Sequence, residues 1–440
     1  MAEILYFIEH TARELDIACA VKHLLRRDYG LACRVVPIAA GLEELGADLN
    51  PQVIALPFCI SAQDLGLEQI ITRWPQARYV DLAFEQVLGK TQKDFKAPKD
   101  DFSRSFVLHH AWGDFFGAYL QANGVPAGHI AVNGNPSLSL YRPPYRAFFE
   151  RERASFAVAY HLDPGKRWVF IPENYGWAFF RDNMLRDRIR RGFNEQDAYR
   201  YRDFARDSLR ESAHWWRQAG QDGQVEVIVR PRPAIPQESF AQAIRDLSGE
   251  IPAGLHIIKD GTVREWTLAS DVVLSSYSTT LLEAAFAQKP VYMLTPYPIP
   301  DFLYSEWYDL TPKLCTQQEF LAAMYAPEQE TNWTALERWV REQMMSRGDA
   351  IANLAALLAQ VQRGQAGAPA PLQVAEEIQR LTLEKLKRKA RKTGWNLLQD
   401  SAAAIGIQTF DRKWTAHEQD GLSQAEIQQR AQRWAEVLGE

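Results

Sequence analysis

Asp271-Val-Val-Leu-Ser-Ser-Tyr-Ser-Thr-Thr-Leu-Leu-Glu-Ala-Ala285 is the stretch whose reading decides the fold. The run Asp271–Ser275 is apolar without alternation, as a strand covered on both faces should be. Thr279–Ala287 then carries apolar residues at helical spacing. A buried strand feeding directly into a helix is half of a βαβ unit, and βαβ units build parallel sheets. Between the two lie Ser275, Ser276, Ser278, Thr279 and Thr280, five hydroxyls in six positions. Ligands of open parallel sheets bind beyond the carboxyl ends of the strands. The N–H groups and dipole of a helix N-terminus favour phosphate there, and the hydroxyls add donors. Ser278 as a simple helix cap would account for one hydroxyl and leave four unexplained. Glu283, one turn into the helix, is placed to accept hydrogen bonds from ribose hydroxyls.

The alternation continues on both sides of this stretch. Upstream, Arg167–Ile171 reads as a strand, Asp197–Gln218 as a long helix and Val225–Val229 as a strand. Gln237–Leu247 follows as a helix, Leu255–Lys259 as a strand and Val263–Ala269 as a short helix. Downstream, Pro290–Leu294 reads as the last strand. Two further strand ends carry polar residues. Val227-Ile-Val-Arg-Pro-Arg-Pro233 sends out Arg230 and Arg232 on a turn stiffened by prolines. Guanidinium forks there bind phosphate or carboxylate, or remain solvated on a surface loop. Phe170-Ile-Pro-Glu-Asn-Tyr-Gly-Trp177 delivers Glu173, Asn174 and Tyr175. The carboxylate can act as nucleophile, base or sugar hydrogen-bond partner, or be structural.

A second α/β pattern occupies the N-terminal part. Ile4–Ile8, Cys33–Ile38, Val53–Phe58, Arg78–Phe84 and His129–Val132 read as strands, with helices over Glu14–Arg27 and Ala62–Trp74. Glu9, His10, Arg13 and Glu14 fall at the first strand-to-helix turn, where His10 is either a base or a cap. His109-His110 and the turn Asn133-Gly-Asn-Pro136 end later strands of the same face. No GxGxxG motif is present, so a dinucleotide cofactor is not expected, and no HExxH or spaced His/Asp/Cys set suggests a metal. The break Tyr141-Arg-Pro-Pro-Tyr145 ends any helix and marks a domain linker. Beyond about residue 318 the pattern is helical only, with Gly364–Pro371 as an extended or flexible linker. The expected domains are therefore 1–142, 143–345 and a helical extension over 346–440.

Composition agrees with this division. A chain of 440 residues exceeds the size at which one core keeps growing. A net charge of -5 argues against nucleic acid as a partner. Cys19, Cys33, Cys59 and Cys315 lack any metal spacing and read as buried free thiols of a reducing cytoplasm. The 13 tryptophans suit sugar rings, and equally well fill cores. No apolar run is long enough to span a bilayer, and the N-terminus lacks a basic leader, which gives the expectation of a cytoplasmic protein. Six basic residues between Lys385 and Lys392, near Trp395, make residues 381–398 either a membrane-surface helix or a solvated helix face.

Taken in order, these motifs resemble the GT-B glycosyltransferases of bacterial capsule and lipopolysaccharide biosynthesis. The likeness lies in Ile8-Glu-His-Thr-Ala-Arg-Glu-Leu-Asp16, Val132-Asn-Gly-Asn-Pro136 and Val229-Arg-Pro-Arg-Pro233. It is densest from Gly261-Thr-Val-Arg-Glu-Trp266 through Ala269–Ala284 to Lys289-Pro-Val291. The resemblance implies an α/β GT-B fold, two Rossmann-like domains facing a cleft, with a C-terminal helical extension. It makes the first domain the acceptor side, with Arg13, Glu14 and Asn135, and the second the donor side. Similarity to Kdo-transferase-like and CDP-glycerol-transferase-like enzymes implies a nucleotide-sugar donor, such as a CMP-activated acidic sugar, and a glycan or lipid-linked glycan acceptor. No metal or cofactor is implied. Ser278, Thr279 and Thr280 would then hold the phosphate and Glu283 the ribose, with Arg230, Arg232, Ser275 and Ser276 completing the donor set. Glu173 stands where the retaining members place an acidic nucleophile, and Glu9 and His10 are further catalytic candidates. The chain departs from the family at Arg232, which occupies the position of the histidine in Arg-Pro-His-Pro and can stabilise phosphate charge only electrostatically. A sugar-nucleotide epimerase on the same architecture, or a non-catalytic glycan-assembly component, are the alternatives.

Overall fold

The computed structural model describes residues 3–38, 45–46, 49–64, 67–190, 192–233, 235–325, 332–365, 367, 369, 380–383, 386–387, 390 and 423–439. The chain divides into two compact units, one of residues 1–86, 97–139 and 345–440, the other of residues 87–96 and 140–344.

The first unit is built on six parallel strands, β1 (Ile4–Ile8), β2 (Cys33–Pro37), β3 (Val53–Leu56), β4 (Arg78–Asp81), β5 (Val107–Ala111) and β6 (Ile130–Val132), in the order β2-β1-β3-β4-β5-β6. β1 is buried at every position, as its unbroken apolar run predicts. Helix α1 (Thr11–Tyr29) follows and ends at Gly30, whose φ of 69° is open to glycine at no cost and lets its N–H reach the Arg26 carbonyl. Helix α2 (Leu67–Arg73) starts later than the expected Ala62–Trp74. The reason is local: Asp100 takes the Ser61 hydroxyl and the Ala62 N–H, and Asp64 takes the Ser61 N–H, which holds this segment in a turn. Helix α3 (Asp114–Ala122) was not legible, because Gly113 caps it without a side chain.

His109 and His110 lie inside β5 and face inward. The two ring nitrogens of His109 meet Asp81 Oδ2 at 3.0 Å and the Ser103 carbonyl at 2.6 Å. Burial pushes the His110 imidazole down to about 4, so it packs as a neutral ring.

The second unit repeats the architecture with β7 (Arg167–Pro172), β8 (Val225–Arg230), β9 (Leu255–Ile257), β10 (Val272–Ser275), β11 (Val291–Leu294) and β12 (Lys313–Leu314), ordered β12-β11-β10-β7-β8-β9 and parallel throughout. The two-residue β12 lies beyond the strand expected to be last, too short to leave a pattern. Helix α4 (Glu195–Asp222) is longer than predicted at both ends, since Asn194 caps the Asp197 N–H and the helix runs on to Gly223. It is followed by α5 (Gln237–Ser248), α6 (Val263–Ala269) and α7 (Thr280–Phe286). Trp266 anchors α6 with its ring 4.8 Å from Phe156 and 4.9 Å from Tyr160, and donates its indole N–H to the Asp260 carbonyl at 2.8 Å.

Gly220 lets α4 approach the start of β9. A Cβ there would stand 2.9 Å from Leu255 Cβ and 3.0 Å from its backbone nitrogen. Gly220→Ala is therefore expected to cost about 1–3 kcal/mol through overpacking. An unchanged urea midpoint would contradict the packing described.

The C-terminal segment corrects the domain reading. Helices α8 (Ala350–Gln362) and α9 (Gln424–Leu438) are not a separate extension but part of the first unit, both packed on α1. Asp16, only 3 % exposed, accepts from Arg430 at 2.8 and 3.1 Å and from the Trp434 indole at 3.0 Å. Ala350, Ile351, Leu354 and Leu358 of α8 form an evident apolar stripe, whereas Ile427 and Trp434 of α9 are apolar positions in a helix that otherwise looks polar. Most of residues 381–398, the stretch read as a membrane contact, lies outside the described residues. Leu381, the first of them, is fully buried in the core of the first unit with Ile38 and Phe102. Among the described residues no helix is long and apolar enough to cross a membrane. Cys19, Cys33 and Cys59 are buried, as expected, and burial raises their thiol pKa values, that of Cys33 to about 12. Cys315 departs from the expectation and is exposed, just after β12.

Candidate functional site

In the second unit the ends of β7, β8 and β10 are tied to one another by hydrogen bonds. The Glu173 N–H donates to the Arg230 carbonyl at 2.9 Å, which carries the β7–β8 ladder one residue past the strand. The Glu173 side chain turns inward and is 5 % exposed. Its carboxylate accepts from the backbone N–H of Tyr175 and, at 3.4 Å, from that of Arg232. Burial pushes the carboxyl up to about 7, against the pull of the Arg232 charge and those two N–H groups. Arg232 itself is exposed, with Nη1 donating to Asn174 Oδ1 at 3.2 Å. Tyr277 donates to the Asn174 carbonyl at 3.2 Å, and Ser275 donates to the Pro172 carbonyl at 2.5 Å. Glu173, Arg232 and Ser275, picked from three separate stretches of sequence, thus belong to one assembly. Arg230, 7 % exposed, joins it through its backbone carbonyl, while its side chain places Nη2 on the Gly261 carbonyl at 3.0 Å.

The hydroxyl-rich turn sorts into two groups. Ser275 and Ser276 are 1 % and 3 % exposed and serve the interior, Ser275 through Pro172 and Ser276 beside Tyr175. Ser278, Thr279 and Thr280 reach the surface, Thr279 most of all. Open N–H groups at the start of α7 were expected, but the turn satisfies them itself. Thr280 N–H donates to Ser278 Oγ at 3.3 Å, Leu281 N–H to the Ser278 carbonyl at 3.1 Å and Leu282 N–H to the Thr279 carbonyl at 3.0 Å. The Ser278 hydroxyl is thus engaged with Thr280 inside the turn, while the N-cap Thr279 makes no side-chain cap bond, and what the turn presents outward is hydroxyls rather than backbone.

Glu283 sits one turn along α7, half-buried, as the sequence reading placed it. One of its oxygens, Oε2, accepts from the Tyr141 hydroxyl at 2.9 Å. Tyr141 was read only as part of a linker, yet it is 2 % exposed and belongs to the second unit. Burial and the neighbouring Glu283 carboxylate raise its phenol pKa, while Arg264 pulls it down. Tyr141 carried no signal beyond the linker, and Arg264 lay inside the Gly261–Trp266 stretch without a role of its own. Each acts through a partner that is distant in sequence.

In the first unit the turn after β1 is a closed ion-pair cluster. Glu14 is fully buried and accepts from Arg13 at 2.7 Å and from the Glu9 N–H at 2.7 Å. Arg13 also reaches Glu85 at 2.7 Å. Burial raises the Glu14 pKa in spite of Arg13, and Glu14 and Glu85 together raise that of Arg13 against its own burial. Glu14 is therefore held inward by Arg13 and the Glu9 N–H, and of this pair Arg13 is the one partly exposed. His10 precedes α1 without a side-chain cap bond, with Nε2 3.7 Å from Glu9. Asn135 is 5 % exposed and accepts from the Ser137 N–H at 2.9 Å, the role of a turn residue. Among the described residues no group of three His, Cys, Asp or Glu is arranged to hold a metal ion.

No protein-family model matches the chain, and no curated protein matches it. Solved structures do. The UDP co-structure of MnaA from S. aureus is 12 % identical and matches over 83 % of this chain and 98 % of its own, with a TM-score of 0.52. The wall teichoic acid polymerase TagF is 10 % identical and matches over 82 % of this chain and 90 % of its own, at 0.55. The chain has a GT-B fold. UDP-GlcNAc 2-epimerase from Neisseria meningitidis bound to UDP-GlcNAc is similar to the same degree, with 11 % identity, 80 % and 97 % coverage and a TM-score of 0.52. At such identities the likeness speaks for the GT-B architecture alone, and that architecture serves transferases and epimerases alike.

Proposed function

We propose that this protein is a nucleotide-sugar-dependent glycosyltransferase of bacterial surface-carbohydrate assembly, with a CMP-linked acidic sugar such as Kdo as donor and a glycan or lipid-linked glycan as acceptor. The observation that carries the reading is the single assembly formed by the ends of β7, β8 and β10, in which a buried carboxyl near neutrality accepts from the backbone of an arginine whose guanidinium is exposed. Arg232 with Ser278 and Thr279 takes the donor phosphate, the guanidinium supplying by charge what a histidine would supply by proton. Glu283 takes the ribose hydroxyls through the oxygen that Tyr141 leaves open. Glu173 is the proton-transfer group, since a carboxyl held near 7 gives and takes a proton readily at neutral pH. The ligands named for the structural neighbours, UDP, UDP-GlcNAc and CDP-glycerol (CDPG), are all nucleotide-linked and support this class of donor.

The test is a melting-temperature screen with CMP, CDP, UDP and GDP. One nucleotide is expected to raise the melting temperature, and Ser278→Ala/Thr279→Ala is expected to weaken its binding at least tenfold. No shift with any of the four, together with intact glycan production by the double variant, would end the reading. Turnover of the nucleotide sugar without any acceptor would point instead to an epimerase.

A further inference from the structure

Arg264 is the second residue of α6 and is 3 % exposed. Its Nε–H meets no acceptor among the described residues. A guanidinium so buried and so poorly matched is a costly feature for a fold to keep. The carboxylates nearby are engaged elsewhere. Glu265 pairs with Arg151 at 2.7 Å and accepts the Thr262 N–H at 2.7 Å, while Glu283 holds the Tyr141 hydroxyl through Oε2. What Arg264 does have is the ring of Phe149, 5.8 Å from its Cζ, and the neighbourhood of Tyr141, whose phenol its charge affects. One positive and one negative group therefore flank the same buried hydroxyl, and the negative one lies on α7, one turn from Ser278 and Thr279.

We propose that Arg264 and the Tyr141-held Glu283 form one subsite, in which Glu283 accepts from a sugar diol and Arg264 binds an oxyanion of the same ligand. This rests on the nucleotide-sugar reading and sharpens it. A planar guanidinium whose Nε–H lacks an acceptor matches the paired oxygens of a phosphate or a carboxylate, and such a ligand would supply the acceptor that the described residues do not. The oxyanion is either the donor phosphate or the carboxylate of an acidic sugar. Tyr141 is a positioning residue: its hydroxyl fixes one Glu283 oxygen and thereby aims the other.

The experiment compares the wild type with Arg264→Met and Tyr141→Phe by calorimetric titration of cytidine, CMP and a CMP-linked acidic sugar, alongside the melting temperature without ligand. Arg264→Met is expected to weaken CMP at least tenfold and cytidine less than twofold if the oxyanion is phosphate. If it is the sugar carboxylate, only the CMP-linked sugar weakens. In either case the ligand-free melting temperature holds or rises, because an apolar side chain of similar length replaces a buried group whose Nε–H has no acceptor among the described residues. Tyr141→Phe is expected to weaken cytidine itself, since the diol acceptor loses its orientation. A lower ligand-free melting temperature with all affinities unchanged would make Arg264 a fold element and overturn the proposal. A wild type that binds none of the three probes removes the nucleotide-sugar reading itself, and this subsite with it.

Discussion

Glu173→Gln is expected to remove a pH-dependent loss of stability that the wild type shows between about pH 4.5 and 7. The carboxyl of Glu173 is raised from 4.5 to about 7 because burial disfavours its charged form more than Arg232 and two backbone N–H groups favour it. In that window the folded chain holds a proton that the unfolded chain has released, so folding is favoured at low pH and the advantage is lost as pH rises through the folded value. The full difference for such a shift is about 3 kcal/mol. Glutamine does not titrate, so unfolding free energies of the two proteins, measured in urea from pH 4 to 8, should diverge by about that amount across the window. A constant difference would show that Glu173 is not held near neutrality. If Glu173 also carries the proton in the reaction, kcat of the same variant falls by 10²-fold or more while donor KM changes little. A stability curve that changes as described with kcat intact would leave Glu173 as the buried counter-charge of Arg232 only.

The same residue shows where the sequence was informative. Strands such as β1 and the Val272–Leu274 run of β10 are uninterrupted apolar runs, so their existence, parallel pairing and doubled pattern follow from periodicity. The strand ends were also readable, because polar residues after an apolar run have nowhere else to be. What could not be read is which of those polar groups turn outward. Ser278 and Ser275 look alike in a hydroxyl-rich string, yet one stands at the surface and the other bonds the Pro172 carbonyl, a partner 103 residues away. Glu14 and Glu9 likewise look alike, and only packing beneath α1 makes one an internal counter-charge for Arg13. Tyr141 and Arg264 escaped notice for the same reason. The tail misled in the opposite direction, since α9 is polar on most faces and buries only Ile427 and Trp434.

Those few contacts are the ground for the second large effect. Asp16→Ala is expected to destabilise the first unit by about 3–5 kcal/mol, the range for breaking a buried charged contact by deleting one partner. Asp16 is 3 % exposed and accepts two bonds from Arg430 and one from the Trp434 indole, itself fully buried. Alanine removes the acceptor that these three bonds share at the α1–α9 contact, so the loss includes the cost of desolvating the donors and not only the missing attraction. Asp16→Asn keeps the shape and one acceptor oxygen, and should fall between. A double-mutant cycle with Arg430→Met isolates the pair: if the ion pair is the joint, Asp16→Ala costs clearly less in the Arg430→Met background, with a coupling of about 0.5–3 kcal/mol. Hydrogen exchange gives an independent view. Residues 424–438 should exchange faster in Asp16→Ala than the strands of the same unit, because α9 is tied on by this carboxylate, by Cys19 through the Ile427 carbonyl, and by His23 and Arg27 at its last residues. Uniform acceleration across the whole unit would mean instead that α9 folds and unfolds with the sheet, and that the chain's last helix is as much a part of the first domain as its first.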